Sequence, residues 1–190
     1  MGESKAAALA RRFNYALGLS IAWCSEPVDS QEHLPRGSLV CGCVDNHLAR
    51  AEIARAQEVA WLDAGNDYDS GQVVLGNSGD RDQVLEGLGH AQQGHCRYLP
   101  HAGLLFPPLL QPEGEETPDA ALSCAERVMH DEQQVFVNDF TAAILTQYVY
   151  RLLNREAVTT FASFFSLAPA PAVRSARITR PELEAYLGQG

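Results

Sequence analysis

The sequence predicts an α/β fold with a mostly parallel sheet. Two patterns lead to this prediction: short apolar runs typical of strands buried on both faces, and helical segments that alternate with them. The third observation is size, since 190 residues are enough to bury one sizeable core without a second domain. A single domain is therefore expected.

The alternation lies in residues 1–76. Residues 3–14 are rich in alanine and other strong helix formers, with apolar positions spaced as on one helix face, which predicts a helix. Five more elements are predicted in this part: a β-type run at 19–24, a strand at 38–44, a helix at 46–58, and strands at 59–62 and 72–75. Residues 63–71 are rich in Gly, Asn and Asp and predict a turn.

The second half of the chain is less regular. Residues 77–119 carry many Gly and Pro residues with little periodicity, which indicates an irregular insertion. Residues 120–190 are expected to supply the remaining elements: a helix at 124–154, a terminal β pair at 157–167 and 172–178, and a short helix at 181–187. The predicted organisation is one domain with an α/β half, an insertion and a helix with a terminal β pair.

Composition narrows the classes of function. The formal charge of −10 argues against non-specific binding to nucleic acid or to anionic membranes. The first residues are charged and lack the apolar core of a secretory signal, so a cytoplasmic protein is expected. Five cysteines without a C-x-x-C pair give no zinc motif and no disulfide framework, and most of them are expected to be buried, reduced packing residues.

The segment CGCVDNHLAR at 41–50 contains the first candidate site residue. Asp45 follows an apolar strand and precedes a helix, and ligands of open α/β sheets bind beyond the carboxyl ends of the strands. A carboxylate in that position can coordinate Mg²⁺ that carries nucleotide phosphates. The alternative is that Asp45 or Asn46 only caps the helix, and spacing alone favours the cap.

Several short motifs occur in order along the chain: GESKA followed by RFN, CVDN with Arg50 four residues later, WLDAGN, GQVVLG, and SC followed by QVFVN. In this order they resemble the ThiF-type, ubiquitin-activating-enzyme-like adenylyltransferases, and within that family the ThiF-related proteins of the PRTRC mobile-element cassette. The resemblance covers most of the chain and is thinnest between residues 77 and 119.

The resemblance implies a Rossmann-like fold and ATP-dependent activation of the C-terminal glycine of a ubiquitin-like or sulfur-carrier protein. It also implies ATP and Mg²⁺ as cofactors, with Asp45 and Asn46 at the nucleotide site and Lys5 in contact with phosphate. Lys5 is otherwise a solvated helix lysine. Arg50 either contacts the nucleotide or the partner protein, or holds the helix start through Asp45. A homodimer or heterodimer is expected.

Cys124 is the candidate catalytic cysteine. Related enzymes accept the activated carrier on a cysteine as a thioester, and a thiolate at a helix start has a lowered pKa. Ser123 is a plausible cap for such a helix, which would place Cys124 in that position. The alternative is a buried packing cysteine.

One part of the family pattern is missing from the sequence. The first βαβ unit, which carries the G-x-G-x-x-G turn and spans about 30 residues, has no counterpart. A misassigned gene start, a second chain that supplies the unit, and an inactive remnant all stay open as explanations. The alternative function is a catalytically inactive half-subunit that acts as a protein-interaction partner. Unpaired strands would then leave apolar surface exposed.

Overall fold

The computed structural model describes residues 3–30, 32–89, 96–112 and 136–188. The strands are Leu39–Gly42 (β1), Ala60–Asn66 (β2), Ser70–Gly76 (β3), Thr160–Ser166 (β4) and Ala172–Arg177 (β5). The helices are Lys5–Leu17 (α1), His47–Arg55 (α2), Arg81–Gly89 (α3), Ala102–Leu105 (α4), Val137–Leu153 (α5) and Arg180–Leu187 (α6), with a 3₁₀ turn at Pro107–Leu110. No helix in these described ranges is long and apolar enough to cross a membrane.

The five strands form one mixed sheet in the order β1-β2-β3-β4-β5. The α/β class is confirmed, but the expectation of a mostly parallel sheet is wrong, because only β1 and β2 pair in parallel among the described strands. The reason is the turn after β2, where the Asp67 amide donates to the Ser70 carbonyl at 2.9 Å. So short a connection makes its two strands antiparallel, since a parallel pair needs a longer crossover.

The sheet is covered on both faces. One core lies between the sheet and α2, α4 and α6, and contains Trp61, Phe161 and Leu183, which are almost fully buried. On the other face α5 packs on β2 and β3, over Leu62 and Val73. Trp61 and Leu62 enter opposite cores because successive side chains of a strand point to opposite faces. The terminal β pair predicted from the sequence is confirmed as the β4–β5 hairpin.

The amino-terminal arm consists of α1 and the segment 18–25. The strand predicted at 19–24 is wrong, because these residues have no regular secondary structure and pair with no described strand. Instead, the Asn14 side chain holds both backbone groups of Ile21: Nδ2 donates to the Ile21 carbonyl at 2.9 Å, and Oδ1 accepts from the Ile21 amide at 2.6 Å. Large apolar side chains of the arm remain exposed, among them Phe13 and Trp23.

The region from residue 77 onward is more regular than its composition suggests. Helices α3 and α4 lie within the segment that the sequence indicates as irregular. Asp80 stabilises the start of α3, since its Oδ1 accepts from the amides of Asp82 and Gln83. Pro100 and His101 then cross directly over Gly76, where a Cβ atom would lie 2.3 Å from the His101 Cα atom.

Candidate functional site

The candidate site lies at the junction of β1 and α2. Asn46 caps α2, since its Oδ1 accepts from the Ala49 amide at 2.8 Å. Asp45 is exposed, and its carboxylate has no hydrogen bond or ion pair with any described residue. The sequence leaves open whether Asp45 and Asn46 cap the helix or bind a metal ion, and the structure assigns the cap to Asn46. Asn46 does the capping, and the carboxylate of Asp45 stays available at the carboxyl end of a parallel strand.

Lys5 makes no described contact with Asp45. It is exposed in the first turn of α1, whose cap residue Ser4 is linked to Ser25 by a hydrogen bond of 2.7 Å between the hydroxyls. In the part of the chain that the structure describes, no ion pair or hydrogen bond joins Lys5 to Asp45. No described contact therefore links these two predicted phosphate-site residues directly.

Arg50 has a partner that the sequence did not suggest. Its Nε donates to Oδ1 of Asp63 at 3.2 Å, across from α2 to β2. The Asp63 side chain is fully buried, and the Arg50 side chain is only 10% exposed. The proposed hold on the helix start through Asp45 is not observed, and Arg50 binds the second strand of the parallel pair instead.

Sequence reasoning missed Asp63, although a signal was present. Its neighbours in AWLDAGN predict a turn by composition, but Trp61 two residues earlier is a large apolar residue of the kind that lies in a core. Side chains two apart on a strand share a face. An acidic residue on the same face as a buried Trp needs a buried partner, and Arg50 provides it.

The electrostatics of the pair are unbalanced. Burial raises the pKa of Asp63, and the adjacent Arg50 guanidinium lowers it by less, so the net direction is upward. Oδ2 of Asp63 and Nε1 of Trp61 are buried without a hydrogen-bond partner among the described residues. Such orphaned polar atoms are uncommon in folded proteins and often mark functional places.

Two sequence motifs meet at the end of β2. The side chain of Asn66, the last residue of WLDAGN, donates a hydrogen bond to the side chain of Asn138, the last residue of QVFVN. Since α5 packs on β2, this contact fixes the first turn of α5 next to the carboxyl end of the parallel pair. The sequence motifs therefore converge in space at this edge of the sheet.

The surroundings of the two cysteines near the site, Cys41 and Cys43, disfavour the thiolate form. Cys41 and Cys43 are exposed residues, so the expectation of burial is wrong for these two. Their thiols are nevertheless partly desolvated against the sheet, which raises the pKa of both; neighbouring Cys43 adds to the effect on Cys41, and Asp63 to that on Cys43. A raised pKa disfavours the reactive thiolate. Cys124 and Ser123 lie outside the described residues.

A separate cavity of about 510 Å³ lies on the α5 face of the sheet, over β4 and β5. A chain of hydroxyl groups forms part of its wall: Tyr148 Oη is 2.9 Å from Ser163 Oγ, which is 2.8 Å from Ser175 Oγ. Phe140 and Val173 contribute apolar surface. The hydroxyls satisfy one another, so they stabilise the packing of α5 on the sheet.

Neither a preformed metal cluster nor a known relative identifies the site. In the described ranges no three His, Cys, Asp or Glu side chains gather as a metal site. An Mg²⁺ ion held mainly by nucleotide phosphates needs only one or two protein carboxylates, which is the donor that Asp45 offers. Comparison with protein-family models, curated proteins and solved structures finds no match to this chain.

Proposed function

We propose that this chain carries the Mg²⁺-phosphate edge of a site that adenylylates the C-terminal glycine of a ubiquitin-like or sulfur-carrier protein. One observation carries the proposal: the Asp45 carboxylate is exposed just beyond the carboxyl end of β1 and has no partner among the described residues, while Asn46 caps α2. This is the edge of an α/β sheet at which ligands bind, so the carboxylate is placed where it can meet one.

Each candidate residue has a distinct task in this proposal. Asp45 would hold Mg²⁺, and the bound ion would supply neutralisation of phosphate charge. The reaction itself is attack of the glycine carboxylate on the α-phosphate of ATP, with pyrophosphate as the leaving group. Lys5 is exposed and meets phosphate as a point charge. Asn46 keeps α2 in place through its cap, so that the positive end of the helix dipole faces the same region. Cys124 is the candidate acceptor of the activated carrier.

The backbone cradle for the ATP phosphates would come from residues other than those described above. The sequence contains no Gly-rich turn between a strand and a helix, so a longer form of the protein or a partner chain would supply it. In either case residues 1–190 contribute Asp45, Arg50 and Lys5 to the full activity.

A second candidate function is favoured by the amino-terminal arm. Five large apolar side chains of the arm are between 42% and 64% exposed: Phe13, Leu17, Leu19, Ile21 and Trp23. Several exposed apolar side chains on one arm are typical of a surface that contacts another protein. The alternative is thus a catalytically inactive half-subunit that binds a complete adenylyltransferase through its arm.

ATP–pyrophosphate exchange tests the first function. The chain, in its assembled form and with a glycine-ended carrier protein, should catalyse exchange of labelled pyrophosphate into ATP. Asp45→Asn should lower the rate about 100-fold, the usual loss when one group that stabilises transition-state charge is removed. The control is Asp82→Asn, an exposed carboxylate beside a helix start without a described side-chain partner, and it should leave the rate unchanged.

The two functions give different results. Exchange that is unaffected by Asp45→Asn would refute the role given to Asp45. If the chain binds a complete adenylyltransferase and raises that enzyme's rate equally well with and without the Asp45→Asn change, the half-subunit is the correct interpretation. In that case Trp23→Ser should abolish the association, because it removes apolar area from the arm.

A further inference from the structure

The guanidinium of Arg50 is held from one side only. Its Nε donates to Asp63 Oδ1, while Nη1 and Nη2 make no hydrogen bond with any described residue. The Arg50 side chain as a whole is 10% exposed, and neither terminal nitrogen is among the fully buried atoms that lack a partner. Arg50 thus has two N–H₂ groups that no described residue uses.

The contact with Asp63 is not the usual two-bond pairing of Arg with a carboxylate. A bidentate pair would engage both carboxylate oxygens. Here Oδ2 of Asp63 has no partner among the described residues, although the side chain is fully buried. A pair that served stability alone would use both oxygens, since an unsatisfied buried acceptor is costly. The single hydrogen bond therefore orients the Arg50 guanidinium, while Oδ2 of Asp63 stays without a hydrogen bond from the described residues.

The free edge of Arg50 lies beside Gly65, just beyond the end of β1 in the parallel register. Gly42, the last residue of β1, is opposite Asp63, so β2 continues along the β1–α2 junction. A Cβ atom on Gly65 would lie 3.4 Å from Arg50 Nη2 and 3.8 Å from the Gln72 side chain. The Gln72 amide has no hydrogen-bond partner among the described residues. The terminal nitrogens of Arg50 and the side-chain amide of Gln72 therefore lie close to the same glycine, and no described residue accepts a hydrogen bond from them.

We propose that Asp63 positions Arg50 so that its terminal nitrogens, with the Gln72 amide, bind an oxyanion beside Gly65 at the carboxyl end of the parallel pair. The identity of the oxyanion rests on the proposed function: it is either a phosphate of the nucleotide or the terminal carboxylate of the carrier protein. Guanidinium and amide N–H groups suit both. Asp63 is a positioning residue, because it acts through Arg50.

Calorimetric titration with two probes tests the site and separates the two sources. One probe is pyrophosphate, and the other is a hexapeptide that ends in Gly-Gly with a free carboxylate, compared with its C-terminal amide. The folded protein should bind one probe, and Arg50→Lys should weaken it about tenfold, because an ammonium cannot keep the Asp63 contact and present a planar fork. Arg55→Lys on the same helix is the control, since Arg55 is exposed and pairs with Glu52.

Changes at Asp63 distinguish positioning from a structural or purely electrostatic role. If Asp63 positions Arg50, Asp63→Ala should weaken binding about tenfold, and Asp63→Asn, which retains an acceptor for Nε, should restore most of it. If Asp63 only offsets the charge of Arg50, both changes should strengthen anion binding. Three outcomes would overturn the inference. They are stronger anion binding in both Asp63 variants, equal affinity in the wild type and Arg50→Lys, and binding of neither probe. Should Asp63→Ala not fold, Arg50→Lys and Asp63→Asn decide the question.

The outcome is separable from that of the proposed function. Exchange that depends on Asp45 but not on Arg50 would leave the adenylylation proposal standing and remove the oxyanion site. If a probe binds through Arg50 but no assembly catalyses ATP–pyrophosphate exchange, the oxyanion site stands and the adenylylation proposal fails.

Discussion

The buried pair of Arg50 and Asp63 predicts a large loss of stability when only one partner is removed. Arg50→Met retains the apolar length of the side chain but leaves the Asp63 carboxylate fully buried with neither oxygen hydrogen-bonded. At 3.2 Å the gross attraction between unit charges is roughly 5 kcal/mol for an effective dielectric constant of about 20. Desolvation already offsets part of this attraction in the wild type.

The expected net cost of Arg50→Met is about 3 kcal/mol, at the lower end of the range for breaking a buried pair. The cost is limited because Asp63 can take up a proton. Its pKa is already raised by burial and rises further without Arg50. A carboxyl whose folded pKa is raised favours the folded state below that pKa, so the deficit should shrink as the pH falls through it.

Urea unfolding followed by circular dichroism measures this cost at neutral and at mildly acidic pH. The double variant Arg50→Met/Asp63→Leu should recover most of the loss, since a buried pair can often be replaced by apolar residues. Arg55→Met is the matched control: its pair with Glu52 is exposed, and the change should be below about 0.5 kcal/mol. A loss under about 1 kcal/mol for Arg50→Met, or a double variant as unstable as the single one, would refute the reasoning.

Three further predictions concern the packing around the site. Burial lowers the pKa of His101 below 6.5, and its Nδ1 accepts a hydrogen bond from the Leu104 amide. The stability that neutral His101 contributes is therefore complete above pH 6.5 and is lost as the pH falls through the lowered pKa. His101→Asn should flatten this dependence of the unfolding free energy on pH, as measured by unfolding at several pH values. Tyr148→Phe should cost about 1 kcal/mol by removing the bonds to Ser163 and Thr160, while Tyr150→Phe on the exposed side of α5 should cost nothing measurable in urea unfolding. Gly76→Ala should lower the free energy of unfolding by about 3 kcal/mol, because a Cβ atom would lie 2.3 Å from backbone atoms. Gly18→Ala should lower it by about 1 kcal/mol, because Gly18 has φ at +64° but open space around it. Equal losses in the two variants would contradict this explanation.

The sequence predicts local elements better than their arrangement. The apolar run at 38–44 and the helix at 46–58 correspond to β1 and α2, because burial on both faces and helical composition are local properties. Strand direction is not local. Residues 63–66 look like a turn by composition, yet they belong to β2, where Gly65 pairs with Gln72 in the antiparallel register of β3. Neighbouring strands, rather than intrinsic preference, determine such positions.

The candidate site shows the same division. The sequence predicts Asp45 and Asn46 at a strand–helix junction, but only geometry shows which of the two caps α2. The motif around Arg50 marks that residue as significant, whereas nothing marks Asp63 as its partner, since the two lie 13 residues apart on different elements. Pairing between distant residues depends on register, and register follows from the whole sheet.

The position of these residues gives a physical reason to seek function at the β1–α2–β2 unit. In a parallel pair joined by a helix, the carboxyl ends of both strands and the helix start lie at one edge, so side chains from three elements can meet a single ligand. In the β2–β3 and β4–β5 hairpins, consecutive strand ends lie at opposite edges instead. Asp45, Arg50 and Asp63 come one each from the junction, the helix and the second strand of the parallel unit. A ligand bound there would contact groups fixed by the same core, and loss of the Arg50–Asp63 contact would weaken both the fold and the site.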